Sequence, residues 1–261
     1  MNQSSSQFDW NATQYSKFLE ERTRPAAELV ARVPIANVST AVDLGCGPGN
    51  STSVIKARWP GADILGIDNS DEMLEQARSH HPSFKFTMAD LSTWEPTGRF
   101  DLIFSNAALQ WVGNHDTLLE RLMSYLNPGG VLAIQMPHNH QEVTHASMRE
   151  VAVEGLWSVD LSSVRNTPPI LEACDYYNIL NKSASEIDIW ETRYFHIMDS
   201  VTAIAEWLKG TGLRPFLAPL SETAKERFME RYIEKLESAF PVQADGKVLL
   251  PFPRMFIIAK K

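Results

Sequence analysis

Cysteine is scarce. Two residues in 261, Cys46 and Cys174, cannot build a disulfide framework, and their separation matches no metal-ligand spacing. Long apolar runs are missing too, since none approaches the ~20 residues of a membrane-spanning helix. Basic residues are outnumbered, 24 Lys and Arg against 32 Asp and Glu, giving a formal net charge of -8 that argues against a nucleic-acid surface. The opening MNQSSSQFDW has neither a basic n-region nor an apolar h-region, so no secretory signal is expected. These absences lead us to expect a cytoplasmic protein with no metal, no membrane, no nucleic acid and no obligate protein partner. An anionic small molecule would need a local cluster of Arg or His within an acidic chain.

What is present is an alternation. From Thr40 to Pro137, β-rich apolar runs take turns with amphipathic helical patterns. TAVDLG (40–45), ADILGID (62–68), FKFTMAD (84–90), FDLIFSN (100–106) and GVLAIQM (130–136) read as strands. Asn50 to Arg58 reads as a helix, and Asn69 with Glu72 forms a capping-box pattern for the next one. A third helix carries Leu118, Leu119, Leu122, Met123 and Leu126 on one face and stops at Asn127-Pro128-Gly129-Gly130. Before them, a helical segment from about Ala12 to Arg32 is expected to break at Arg24-Pro25. After them come a long strand EIDIWETRYFHIM (186–198), a helix from Ser221 to about Ala239, and a last strand PRMFIIAKK (253–261). The expected fold is α/β: a Rossmann-like, doubly wound, mostly parallel seven-stranded sheet with helices on both faces and a mainly helical cap. The expected layout is a helical segment over the active site (1–34), the core (35–137), further sheet elements with an inserted cap (138–245), and a closing strand (246–261).

The chemistry begins at DLGCGPGNS (43–51). Closely spaced glycines between a strand and a helix let backbone approach a ligand. A dinucleotide fingerprint would be Gly-x-Gly-x-x-Gly, but its third position here is Asn50, whereas the third glycine is Gly49. Asp68 ends the second strand, where a carboxylate can accept two ribose hydroxyls.

The resulting Asp43-x-Gly45-x-Gly47-x-Gly49 pattern resembles the loop of class I S-adenosylmethionine-dependent methyltransferases. DNSDEML (68–74), MADL (88–91) and FSNAALQW (104–111) resemble the same family's later motifs, in order. The resemblance implies S-adenosylmethionine as cofactor, held by Asp43, Gly45, Cys46, Gly47, Gly49, Asp68 and Asn69. It further implies Met73 packed on the adenine, Asp90 and Leu91 at its amino group, and Asn106 beside the methionine portion. Across nearly the whole chain the sequence also looks like the trans-aconitate 2-methyltransferase family, through WNATQYSKFLEERTRPAAELVARVP (10–34), SNAALQWVGNHDTLLERLMSYLNPGG (105–130), QMPHNH (135–140) and EWLKGTGLRPFL (206–217). That resemblance places Tyr15, Arg22 and Arg24 at the methionine end and the acceptor pocket. Arg193 and His138 depart from the family pattern.

An acceptor with three carboxylates requires cations, ideally bidentate arginines. The candidates are Arg22, Arg193 and Arg214, with Arg24 near the cofactor, Trp111, Trp190 and Tyr194 as walls, and Asn139 beside them. A carboxylate nucleophile is already ionised at neutral pH, so no catalytic base is expected. His138, His140 and His145 remain spare histidines. Three other readings stay open: a methyltransferase for a carrier-bound malonyl group, a non-catalytic S-adenosylmethionine-binding protein, and a dinucleotide oxidoreductase, which Asn50 disfavours.

Overall fold

The computed structural model describes residues 19–261 apart from 156, 158–160, 162–163 and 165–169, with side chains from Thr23 onward. The expected helix over 12–18 lies outside these residues. In chain order the elements are α1 (Leu19–Arg32), β1 (Thr40–Leu44), α2 (Asn50–Arg58), β2 (Asp63–Asp68), α3 (Asp71–His80) and β3 (Lys85–Met88). Then come β4 (Phe100–Asn106), a 3-10 turn (Leu109–Trp111), α4 (His115–Ser124), β5 (Leu126–Pro137), α5 (Val143–Ala152) and α6 (Ala173–Leu180). The chain closes with β6 (Glu186–Met198), α7 (Val201–Lys209), α8 (Arg214–Leu217), α9 (Glu222–Ala239) and β7 (Val248–Lys260).

The seven strands lie in the order β3-β2-β1-β4-β5-β7-β6. Pairs β3-β2, β2-β1, β1-β4 and β4-β5 are parallel. The last strand runs antiparallel to β5, because Lys261 meets Gly129 and Gly130 while Pro253 meets His138. Two compact units divide the chain. One comprises residues up to Met136 with Leu171–Trp190 and Met255–Lys261; the other comprises Pro137–Ile170 and Glu191–Arg254.

Within the first unit, Val42, Leu44, Ile67, Leu102, Ile103, Phe104 and Ile134 are fully buried. Each such side chain stabilises the sheet by roughly 1.5–3 kcal/mol. The order reverses between β1 and β4, since β2 and β3 step one way from β1 while β4 and β5 step the other. Right-handed crossovers then put α2 and α3 on one face and α4 on the opposite one. Accordingly, α1 packs on α2, and α4 packs on α6. The reversal leaves a crevice at the carboxyl ends of β1 and β4, where open α/β sheets take their ligands.

Strand β3 ends at Met88, two residues short of the expected Asp90, and four other boundaries differ from expectation for a visible physical reason. Helix α1 runs through Pro25, whose ring is buried, so packing offsets the missing amide bond. The α3 cap is Ser70, whose Oγ accepts from the Met73 amide at 3.4 Å, because Asp68 takes the Ser70 amide and sets the turn one residue later. Strand β5 starts at Leu126: Phe100 pairs with Leu126 and Leu102 with Val131, so Asn127–Gly130 bulge out of register as part of the strand. Finally, β7 starts at Val248, passing through Pro251 and Pro253. The Pro253 carbonyl accepts from His138, so both prolines aim their missing N–H groups toward β5, which ends at Pro137.

Asp101 fastens this bulge to the sheet. Its carboxylate accepts from the Ser39 and Thr40 amides at 2.9 and 3.1 Å and from Asn127 Nδ2 at 2.7 Å. Burial pushes its carboxyl up, but the bonds from Asn127, Ser39 and Thr40 outweigh this and leave it below the usual range. A depressed acid stabilises the fold above its unfolded value and loses that contribution as pH falls through the folded one. Asp101→Ala should therefore cost about 2 kcal/mol in urea unfolding at neutral pH, a deficit that shrinks below about pH 4.

Candidate active site

At the crevice, β1 hands over to α2 through the glycine loop. The Gly45 and Cys46 amides donate to the Ile67 carbonyl at 2.8 and 3.0 Å, tying the turn to β2. Gly45 has φ +71°, and a Cβ there would lie 2.2 Å from Ala108 Cβ, so this glycine lets the loop after β4 close on the turn. Gly47, at φ +53°, meets nothing within 4 Å, so its missing side chain leaves open space beside the backbone. Gly49 caps α2 in the left-handed region.

Beneath the loop sits Asp43, fully buried. Its Oδ2 accepts from Ser51 Oγ at 2.7 Å and Thr52 Oγ1 at 2.6 Å, while Oδ1 is buried with no hydrogen-bond partner. Burial pushes its carboxyl up to about 6 against the two hydroxyl bonds, and the nearby Asp68 carboxylate adds to the rise. Asp68 accepts from the Gly47 amide at 2.9 Å and the Ser70 amide at 2.9 Å, and burial raises it as well. A buried carboxylate with an orphaned anionic oxygen, and a half-buried carboxylate beside it, call for a ligand bearing positive charge or hydroxyl groups. A pyrophosphate would meet both anions and find the Gly47 amide already taken, so the dinucleotide reading fails on charge.

Around this centre, Asn106 ends β4 and lines one cleft with Thr23, Ala26, Gly45, Cys46, Pro48, Asn50 and Ser51. Leu91 reaches the same turn, its Cδ1 3.8 Å from where a Gly45 Cβ would stand. Asp90 is exposed, and its Oδ1 accepts from Ser92 N and Oγ at 2.8 and 2.7 Å. Met73 is buried on α3, and Asn69 is exposed beside Asp68. Arg121 holds the Leu91–Ser92 turn by donating to both carbonyls at 2.7 Å. The stretch after Asn106 is pinned by His115, whose Nε2 meets the Leu109 carbonyl at 2.9 Å and whose Nδ1 meets Tyr176 Oη at 2.6 Å. These bonds assign the Nε2–H tautomer, with Tyr176 donating to Nδ1.

Residues 41–130 match a methyltransferase domain family. A trans-aconitate 2-methyltransferase of Paracidovorax citrulli is 50% identical over 258 residues, covering 97% of this chain and 98% of that one. Its Escherichia coli counterpart is 48% identical, with the same coverage of both chains. The chain belongs to the trans-aconitate 2-methyltransferase family. It is an S-adenosylmethionine-dependent methyltransferase. Haemonchus contortus phosphoethanolamine N-methyltransferase 2, solved with S-adenosyl-L-methionine, shares the fold at TM-score 0.53 and 21% identity, covering 91% of this chain and 52% of that one. A Bacillus subtilis protein shares it at TM-score 0.61 and 12% identity, over 91% and 98%.

The methyltransferase scatters its remaining sequence candidates. Tyr15 and the Arg22 side chain lie outside the described residues. Arg24 is exposed and donates to Glu28 at 2.8 Å. Trp111 is 49% exposed. Trp190 stacks on Phe256 at 4.8 Å, with the Arg32 guanidinium 4.2 Å over its ring. Along β6 the side chains alternate: Tyr194 is buried, whereas Arg193 is exposed on the other face and paired with Glu142 at 2.8 Å. Asn139 is buried, and Arg214 opens α8 half-buried. His138 pairs with Glu191 at 2.7 Å. His145 is held down to about 4 by burial, helped by His140 and Arg149, so it stays neutral at physiological pH. Sequence reasoning missed Ser51 and Thr52, although hydroxyls one helical turn behind an acidic strand end are a usable signal. It missed the His115–Tyr176 pair too, whose partners lie 61 residues apart.

Three outcomes test this geometry. Gly45→Ala should destabilise the fold by about 1–3 kcal/mol through its clash with Ala108. Gly47→Ala should cost only the left-handed strain, about 1–2 kcal/mol, yet weaken S-adenosylmethionine binding at least about tenfold, as calorimetry would show. For Asp43, a raised acid favours the folded state at low pH and loses that contribution as pH rises through the folded value. The ligand-free protein should thus lose about 3 kcal/mol from this group between pH 4 and 6, a slope absent from Asp43→Asn in urea titrations.

Proposed function

We propose that the enzyme methylates a carboxylate oxygen of a small tricarboxylic acid, trans-aconitate, to give its monomethyl ester, and that it does so in the cytoplasm. The observation carrying this reading is that the likeness to trans-aconitate 2-methyltransferases spans 97% of the chain, well beyond the cofactor-binding stretch 41–130. The acidic cradle supports the cofactor half. Asp43 Oδ1 and the open space over Gly47 suit the charged amino-acid end, and Asp68 with Asn69 suits the ribose hydroxyls. Met73, Asp90 and Leu91 are assigned to the adenine by the family pattern, with Gly45, Cys46, Gly49 and Asn106 shaping the cleft.

S-adenosylmethionine supplies a methyl group on a sulfonium, which a carboxylate oxygen displaces in line, leaving neutral S-adenosylhomocysteine with no proton to move. The chain's task is then to align the acceptor and exclude water. Neutral donors should face the reacting carboxylate, because a tight arginine pair would lower its nucleophilicity. Asn139 and Tyr194, both buried, are suitable, with Arg22 and Arg214 as family-pattern cations and Trp111 and Trp190 as walls. Arg193 and Arg24 are left out of this set, since Glu142 and Glu28 hold them at the surface.

The test is transfer from methyl-labelled S-adenosylmethionine to a panel of di- and tricarboxylates, scored as a base-labile ester. Preferential labelling of trans-aconitate is expected. Cofactor binding without transfer to any acid would sink the acceptor assignment, and labelling of a malonylated carrier protein alone would replace it.

A further inference from the structure

We infer that Tyr176 and His115 are positioning residues for the cofactor, because their hydrogen-bond relay holds a strained strip, residues 107–114, against the glycine loop. The inference rests on the reading above that the cleft lined by Asn106 and that loop takes S-adenosylmethionine. Among the described residues, Ala107 and Asn114 are the two that are not glycine yet have positive φ, at +55° and +53°. A side chain there crowds its own backbone, so such residues persist only where their surroundings dictate them, and they gather at functional sites. Both stand at the ends of one short stretch. Within it, Gln110 Oε1 is buried with no hydrogen-bond partner.

The relay starts at Leu171, whose amide donates to Tyr176 Oη at 3.3 Å. The Tyr176 hydroxyl donates to His115 Nδ1 at 2.6 Å, and His115 Nε2 donates to the Leu109 carbonyl at 2.9 Å. Its direction is fixed from both ends, since an amide can only donate and a carbonyl can only accept. Both side chains are buried, so a missing bond would leave a polar group without water to replace its partner. Two further bonds hold the first residue of the strip. The Ala107 amide donates to the Gln135 carbonyl at 2.9 Å, and Gln110 Nε2 donates to the Ala107 carbonyl at 2.8 Å. Ala108 then fills the place of a Gly45 side chain, its Cβ 2.2 Å from where that Cβ would stand. Asn106, the residue before the strip, lines the cleft. Relaxing Ala107 to an ordinary φ would draw Ala108 off the glycine loop and turn Asn106 with it.

The experiment is a double-mutant cycle read as the dissociation constant for S-adenosylmethionine, by calorimetry, at a temperature where the variants are folded. Tyr176→Phe removes only the hydroxyl and should weaken binding about tenfold. Ala107→Gly frees the left-handed conformation of strain, so alone it should change binding by less than about threefold. Added to Tyr176→Phe it should restore binding to within about threefold of wild type, because an unstrained strip needs no relay. Unaltered binding in folded Tyr176→Phe would overturn the inference. So would a double variant as weak as Tyr176→Phe alone, since a tyrosine that merely stabilises the core is not rescued at residue 107. If Tyr176→Phe does not fold, the histidine decides. His115→Gln puts an amide where Nε2 stood and should bind nearly as wild type, whereas His115→Asn replaces Nδ1 instead and should lose about tenfold. Equal affinities in those two would overturn the inference. Gly47→Ala separates this inference from the reading beneath it. Unaltered binding there as well would overturn the placement of the cofactor in the cleft, whereas weakened binding there beside an unaltered Tyr176→Phe would overturn the positioning role alone.

Discussion

The buried Asp43 carboxylate is the interaction on which the site depends. Held by Ser51 and Thr52, it fixes the first turn of α2 to the end of β1, and the glycine loop is the chain that must span the gap. A carboxylate with one oxygen left unpaired is an expensive thing to bury. The fold tolerates it because the Ser51 and Thr52 hydroxyls carry part of the cost. A cationic ligand recovers the remainder. Asp68 extends the same logic: by accepting from Gly47 it rigidifies the loop and withdraws the amide that an anionic ligand would require.

Much of this was legible in the sequence because local chemistry and long-range packing agreed. Strands β4 and β6 appear with the bounds their alternation predicts, and α2 does as well. Where they disagreed, tertiary structure prevailed. Asn127-Pro128-Gly129-Gly130 has the composition of a loop, yet Asp101 captures Asn127 and the bulge continues into β5. Pro251 and Pro253 read as breakers of an interior strand; they are accommodated because β5 ends beside them, a fact no local window contains. The Ser70 cap was misplaced by one residue because the deciding partner, Asp68, acts both in the site and in the turn.

The site divides along the same line. A glycine loop and a following acid are consecutive enough to be read directly. The acceptor side proposed above is not, because its candidate residues take their value from burial and from strand parity. Arg193 and Tyr194 are neighbours in sequence, but alternation sends the arginine to the surface and the tyrosine to the interior.

Charge sorting then follows as a chemical necessity. On the proposed reading the two reactants have opposite signs, a sulfonium and a polycarboxylate, and an unstructured acidic surface would bind the first and repel the second. The buried Asp43 and the half-buried Asp68 beside it suit the cation. Desolvation makes such carboxylates stronger partners than surface charges of the same number. It also sets a limit: the carboxylate that reacts must stay weakly paired, or the stabilisation it gains in the ground state is added to its barrier. Strong pairing therefore belongs to the carboxylates that do not react, with neutral donors left for the one that does. A carboxylate acceptor would then need no catalytic base. With an ionised nucleophile and a neutral thioether leaving group, position and dryness are what remain for the protein to supply.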